Sequence, residues 1–380
     1  MTHPALLKPQ LGWKVKFVNY PSQFKKMEAE IMETVHSVFS KGDLILRQQL
    51  RDFEIHFAEF VGTGFAVGLS NCTDALHLSL RAAGIGAGDE VLTVSHTFVA
   101  TAAAIHHAGA KPVFVDIGED HTMDVSFLEK AINSKTKAIV PVHLNGRLCD
   151  MERLMAIAEK HGLLVLEDSA QGLGASYRGK RGGSFGIAGC FSFYPAKLLG
   201  AFGDAGAMTT NDETFAQKVR SLRDHGRNIS GDVDGWSFNC RMDNLQAALL
   251  DLKLGKLPDA IQRRREIASL YHRRLSGLQE LCLPQPPDSG GAWHDVFQNY
   301  EIEAKKRDSL VGFLREKGIE ILIPWGGRGV HQFKNLGLSA VHLPRTERLF
   351  REVLMLPMHT ELSDDDIEVV SDGIHEFYGR

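Results

Sequence analysis

From Phe65 onward the chain alternates short, continuous apolar runs with stretches whose apolar positions recur at helical spacing. FAVGL is followed by DALHLSLRAAG, EVLTV by TFVATAAAIHHAG, and KPVFVDI by a helix around SFLEKAI. The alternation continues through KAIVPVHL, MERLMAIAEKHG and LLVLED. Strands apolar on both faces, separated by amphipathic helices, predict an α/β fold with a mostly parallel sheet covered on both sides. Residues 22–40 and 46–61 read as two preceding helices, parted by Lys41-Gly42-Asp43. Residues 241–276 form a long helical stretch interrupted near Gly255 to Pro258, and the domain boundary is placed there. The expected units are a large domain over 1–255 and a smaller C-terminal α+β domain over 256–380. In the second, NYEIEA (299–304), the helix SLVGFLREKG and EILIPW supply the elements, and LPQPPDSGGAW (283–293) is a loop. TELSDDDIEVVSDGIHEFY (360–378) closes with a helix capped by Ser363, its three aspartates at the positive end of the dipole.

Within this pattern, GCFSFYPAKLLGAFGDAGAMTT (Gly189 to Thr210) reads as a strand, a lysine in a Gly- and Ala-rich loop, and a second strand. Lys197 among Phe193, Tyr194, Leu198, Leu199 and Phe202 is poorly solvated. Desolvation lowers its pKa and frees the amine for attack on a carbonyl. An electron-withdrawing carbonyl cofactor on such a lysine needs an acid for its ring nitrogen and an anchor for its phosphate. Asp168 ends the strand LLVLED, at the sheet edge where open α/β folds bind ligands. Ser70-Asn71-Cys72-Thr73-Asp74 opens a helix after FAVGL, and the N–H groups there, with the Thr73 hydroxyl, form an anion site.

The segments SNCTDAL (70–76), GIGAGDEVLTVSHTFVATAAAI (84–105), LEDSAQGLGASYRGKRGGSFG (166–186), FSFYPAKLLGAFGDAGA (191–207) and NCRMDNLQAAL (239–249) resemble the DegT/DnrJ/EryC1/StrS sugar aminotransferases. The resemblance implies an aspartate-aminotransferase-like fold (type I of the pyridoxal-phosphate enzymes) with pyridoxal 5'-phosphate as cofactor. It implies that Lys197 holds the cofactor as a Schiff base and shuttles the proton. Thr73, Asp74 and Ser192 meet the phosphate, Asp168 the ring nitrogen, Gln171 the ring or its 3-hydroxyl, and Phe98 the ring face. Asn239 reaches the phosphate of the other subunit, which makes a homodimer with shared sites. His143, Asn145 and His331 fall on substrate positions.

Each role has a plainer alternative. Ser192 is a satisfied strand-end hydroxyl, Asp168 a helix cap, Phe98 a core residue, and Asn145-Gly146 a turn. Asn239 caps a helix starting at Arg241. The chain also departs from the family pattern: Cys72 replaces a glycine in the phosphate turn, Leu198 an asparagine after the lysine, and Asn145 a tyrosine.

The expected activity is transfer of an amino group from L-glutamate to a keto group of a nucleotide-linked sugar. A dehydratase of the same family would carry histidine where Lys197 stands. A non-catalytic cofactor-binding regulator would have no use for Lys197, Asp168 and Thr73 together. A net charge of −4 offers no basic stripe for nucleic acid. No apolar run approaches membrane-spanning length and Met1 to Ala5 begins no signal peptide, so a cytoplasmic location is expected. The cysteines (72, 149, 190, 240, 282) read as buried free thiols, and the histidines lack metal-ligand spacing.

Overall fold

The computed structural model describes residues 12–338 and 340–380; the stretch Met1 to Ala5 lies outside them. Helices α1 (Tyr20–Lys41) and α2 (Gln48–Val61) come first, each closed by a left-handed glycine, Gly42 and Gly62. Then β1 (Phe65–Leu69), α3 (Cys72–Ala82), β2 (Glu90–Val94), α4 (Val99–His107), β3 (Lys111–Val115) and α5 (Leu128–Ala131) follow. After these come β4 (Thr136–Ile139), α6 (Met151–His161) and β5 (Leu164–Asp168). A small hairpin, β6 (Ser176–Tyr177) and β7 (Lys180–Arg181), precedes β8 (Ala188–Ser192), β9 (Gly206–Thr210) and α7 (Glu213–Arg223).

The sheet order is β1-β9-β8-β5-β4-β2-β3. All its strands share one direction except β9, which is antiparallel to both β1 and β8. Strands buried at every position after the first account for the continuous apolar runs. KAIVPVHL yields a shorter strand than expected, with only the isolated bridge Val142–Asp168 beyond Ile139.

One face packs Leu76, Leu80, Ile105 and Val219 from α3, α4 and α7. On the α2 side, Phe53 and Phe57 meet Phe191 and Phe193 of the lysine strand and its loop, with edge-on centroids 5.0 to 5.5 Å apart. All four are at most 1 % exposed. Truncating such a ring to alanine costs about 3–5 kcal/mol, so the base of the lysine loop is rigidly seated.

The long helical stretch resolves into α8 (Asn244–Leu254) and α9 (Leu257–Leu275). Beyond them lie β10 (Leu281–Cys282), β11 (Trp293–His294), β12 (Tyr300–Ala304), α10 (Arg307–Glu316), α11 (Pro344–Glu352), β13 (Val353–Leu356) and α12 (Asp364–Phe377). Tyr271, Ile302, Leu314, Leu354 and Ile374 form a second core, joined by Val15 from the other end of the chain. Leu257 packs with the α2–α8 cluster, whereas Ile267 to Leu275 pack in the second core, so α9 serves both.

Several expectations need correction here. EILIPW forms no regular strand: it makes an isolated bridge at Leu322 and a short 3₁₀ turn from Pro324, with another bridge at Ile319 just ahead of it, while VLML (β13) pairs with β12 instead. The end of the 283–293 loop is not confined to the second unit, because β11 pairs with β6. Cys282 is exposed, and the other four cysteines are buried. Among the described residues no helix is long and apolar enough to cross a membrane.

Candidate active site

The strands converge on one corner. Gly206, at the start of β9, is in register with Leu69 at the end of β1 and with Ser192 at the end of β8. A Cβ on Gly206 would lie 2.3 Å from the Asn71 carbonyl carbon and 2.7 Å from Cys72 N, so only glycine allows this approach. The corner therefore gathers Ser192 and the first turn of α3.

Asn71 caps that helix, its Oδ1 accepting from Asp74 N–H at 2.8 Å. The N–H groups of Cys72 and Thr73, ahead of the first helical bond, have no acceptor within α3. Cys72 is in the helix and not among the positive-φ residues, so the glycine it replaces is not required for backbone geometry. Burial pushes its thiol well above the usual range, and Asp168 adds to the shift, so it brings no charge to the corner. Asp74 corrects its expected role. Its N–H is already taken, and its carboxylate accepts from Ser70 Oγ and, at 2.8 Å, from Asn71 Nδ2. It braces the turn and offers a phosphate no donor.

Lys197 follows β8 in a loop tied back by its own N–H to Tyr194 O at 2.8 Å. Burial holds its amine below the ordinary lysine pKa, opposed by the nearby charge of Asp168. Asp168 is 4 % exposed. Burial raises its pKa, while the Thr101 hydroxyl, the Ala170 N–H and the Lys197 charge pull the other way. No helix follows it, only turns, so the capping alternative fails. Thr101, on α4, escaped the sequence reading. A threonine inside an apolar helix carries no local signal of its partner.

Phe98 is 57 % exposed at the start of α4 and lies outside the core. Gln171 sits in a turn, its Oε1 accepting from Asn145 N at 2.8 Å and from Asn299 Nδ2 at 3.0 Å. Asn145 (φ 56°) and Gly146 (φ 95°) form a left-handed turn, and Asn145 Oδ1 accepts from Asn299 at 2.9 Å. Asn299 thus joins a polar trio that sequence reading did not assemble. Ser192 Oγ accepts from Tyr194 N at 3.3 Å.

The two histidines expected at substrate positions are both turned inward in this structure. His143 is fully buried. Its Nε2 donates to Glu167 at 2.9 Å and its Nδ1 accepts from Cys149 N–H at 3.3 Å, leaving no ring nitrogen for a ligand. Glu167 also accepts from the backbone of Gly183, Phe185 and Gly186, so this pair fastens the 183–186 turn. His331 is 4 % exposed. Ser95 Oγ lies 2.6 Å from its Nδ1, and Glu347 lies 3.5 Å from its Nε2. Both nitrogens face the protein. Asn239 is exposed and bridged to Asp224, beside Cys240, whose carbonyl accepts from Ser70 N–H at 3.0 Å. The following helix begins at Asn244 with Asp243 as cap, so Asn239 is not its cap.

Lys197 borders a cleft of about 710 Å³ lined also by Tyr20, Lys26, Tyr194, Arg264 and Glu361. The residues fit pyridoxal phosphate: a glycine-cleared anion corner, a desolvated amine, a buried strand-end carboxylate and an exposed aromatic ring lie along one sheet edge.

The sequence pattern of the DegT/DnrJ/EryC1/StrS aminotransferase family matches residues 25–375. The "Pleiotropic regulatory protein" of Geobacillus stearothermophilus is 40% identical over 96% of this chain and 98% of its own. A dTDP-3-amino-3,4,6-trideoxy-alpha-D-glucose transaminase of Micromonospora megalomicea is 39% identical over 94% and 97%. Among solved structures, S. venezuelae DesV in complex with a ketimine intermediate superposes with a TM-score of 0.92 at 37% identity, covering 96% of this chain and 99% of that one.

Proposed function

The chain belongs to the DegT/DnrJ/EryC1/StrS aminotransferase family, and from that premise we propose an aminotransferase acting on the keto group of a nucleotide-linked sugar, with L-glutamate as donor and pyridoxal 5'-phosphate as resident cofactor. The observation that carries the reading is the desolvated Lys197 beside buried Asp168, on the sheet edge that also holds the anion corner. The relatives named for their sugar chemistry include a 3-amino-sugar transaminase and a UDP-N-acetyl-3-dehydro-alpha-D-glucosamine 3-aminotransferase, so C3 is the proposed position.

Pyridoxal phosphate, when bound, supplies the carbonyl that takes up the amino group and a ring that withdraws electrons from the bond being broken. The N–H groups of Cys72 and Thr73, with the Thr73 and Ser192 hydroxyls, would hold its phosphate. Asp168 would hold a proton on the ring nitrogen, with the Thr101 hydroxyl and the Ala170 N–H favouring its ionised form and aiming it. Phe98 would cover one ring face, and the amide of Gln171 would face the ring edge. Lys197 Nζ, its basicity lowered by desolvation, would accept a proton from one carbon and return it to another. We place Asn239 beside the phosphate of a second copy, in a homodimer whose two sites are each built from both chains. Incubation with glutamate and a panel of 3-keto and 4-keto nucleotide sugars, read by mass spectrometry, tests the reading. Amination of a 3-keto member supports it; turnover of none, or of 4-keto members alone, overturns the substrate or the position.

A further inference from the structure

Gln298 lies just ahead of β12, in the stretch that leads into the second core, and is 6 % exposed. Its side-chain amide reaches across to the lysine loop. Oε1 accepts from Leu198 N–H at 2.7 Å and Nε2 donates to Ala196 C=O at 3.0 Å. These groups belong to the peptide units on either side of Lys197. A single planar amide thus bonds both neighbours of the lysine, much as the backbone of an adjacent strand would.

The amide is itself held from behind. Arg264, on α9 and 5 % exposed, donates through Nη1 to the carbonyls of Phe297 at 3.1 Å and Gln298 at 2.9 Å. From the other side the Asn145-Gly146 turn presses close: a Cβ on Gly146 would lie 2.5 Å from Phe297 N and 2.7 Å from Gln298 N. Val296 N–H further donates to Gly146 O at 3.0 Å. The segment carrying Gln298 is therefore pinned to α9 and to the sheet edge before its side chain touches the lysine loop.

We infer that Gln298 is a positioning residue for Lys197, holding both flanking peptide units still so that only the side-chain stem moves when the amine changes partner. The inference rests on the reading of Lys197 as the cofactor-bearing lysine. A lysine that must serve first as anchor and then as proton carrier needs a fixed root and a free tip, because small misplacements of a reacting group are costly. The clamp needs a donor and an acceptor side by side at this reach. Asparagine is one methylene too short, and an ionised glutamate would turn an acceptor toward the Ala196 carbonyl.

The test uses Gln298→Met, which keeps length and bulk but makes neither hydrogen bond, and Gln298→Glu. In the full-length protein without added cofactor, Gln298→Met should speed amide hydrogen exchange in the peptide spanning Ala196 to Leu198 and leave the second core unchanged. With cofactor, kcat should fall by about 10²-fold while KM changes little. Gln298→Glu should regain kcat relative to wild type as pH falls, because a protonated carboxyl again offers one donor and one acceptor. A Gln298→Met protein with wild-type exchange and wild-type kcat per bound cofactor overturns the inference. So does faster exchange spread throughout the protein together with a pH-independent defect in Gln298→Glu, which is the behaviour of a packing residue. If wild-type protein aminates no substrate, the functional reading fails, and the exchange measurement alone decides the clamp.

Discussion

Thr101 Oγ1 lies 2.7 Å from Asp168 Oδ2, although the two residues are 67 apart in the chain. Thr97 Oγ1 stands a further 2.7 Å from Thr101 Oγ1. A hydroxyl has one proton, so Thr101 gives its own to Asp168 and accepts that of Thr97. The bond favours the ionised carboxylate and opposes the burial that raises its pKa. Thr101→Val removes this help, and Asp168 then ionises only at higher pH. The acid limb of the kcat/KM profile should move to higher pH, with about a 10-fold loss near neutrality, the usual scale for a hydrogen bond to a charged group. A pH–rate profile overlaying wild type would show that Thr101 does not act through Asp168.

The lysine and the carboxylate have separable signatures. Purified protein reconstituted with pyridoxal phosphate should absorb in the visible, and glutamate should bleach the band. Lys197→Ala should show no protein linkage that borohydride can fix and no turnover. Asp168→Asn should keep the cofactor, since the anion corner is intact, yet lose at least about 10²-fold in kcat because an amide stabilises no positive ring nitrogen. Near wild-type turnover in Asp168→Asn would reduce that residue to a structural role.

The proposed sharing of sites makes a prediction for mixed oligomers. Lys197→Ala lacks the nucleophile, and Asn239→Asp places a negative charge where the partner's phosphate is proposed to sit. A mixed dimer contains one site with Lys197 from one chain and Asn239 from the other, and that site is intact. Activity should reappear when the two inactive proteins are exchanged, above the sum of the separate preparations. Verified mixed dimers without this gain would remove Asn239 from the partner's site.

A buried charged cluster ties the loop after β3 to β12. His121 Nδ1 lies 2.9 Å from Glu301 Oε1 and His96 Nε2 3.5 Å from Glu301 Oε2, with Glu303 3.4 Å from His121 Nε2. Burial works against both charges, yet the Glu301 and Glu303 carboxylates hold His121 up to about 10. In turn His96 and His121 hold Glu301 down to about 2. His121, raised above its ordinary 6.5, adds stability that is complete below 6.5 and lost as pH climbs through about 10. Glu301, depressed below 4.5, adds stability that is complete above 4.5 and lost as pH falls through about 2. Thermal stability should therefore decline on the alkaline side from near neutrality. His121→Gln should flatten that decline and lower Tm by at least about 2 °C at pH 6. Calorimetry across pH decides it: equal alkaline slopes in the two proteins would show that the cluster is not coupled to folding.

The sheet, its helices and the strand–loop–strand around Lys197 were legible in the chain because each is written locally. Apolar runs and helical spacing report burial within a few residues, and the Ser363 cap marks the start of its helix just as locally. Asp168 and Lys197 were visible for the same reason, as a charge ending one buried strand and a charge following another. What tertiary structure alone decided are the pairings between distant segments and the side of the backbone each group faces. It aimed Thr101 at Asp168, and it carried Gln298 across 100 residues to Leu198. It turned His143 inward to Glu167 and His331 to Ser95, when their position near the sheet edge and the family motif suggested substrate. A histidine at a strand end reads the same whether its ring points to the cleft or to a buried carboxylate. Only the packing of neighbouring strands chooses, because a buried polar group takes the partner that the fold supplies.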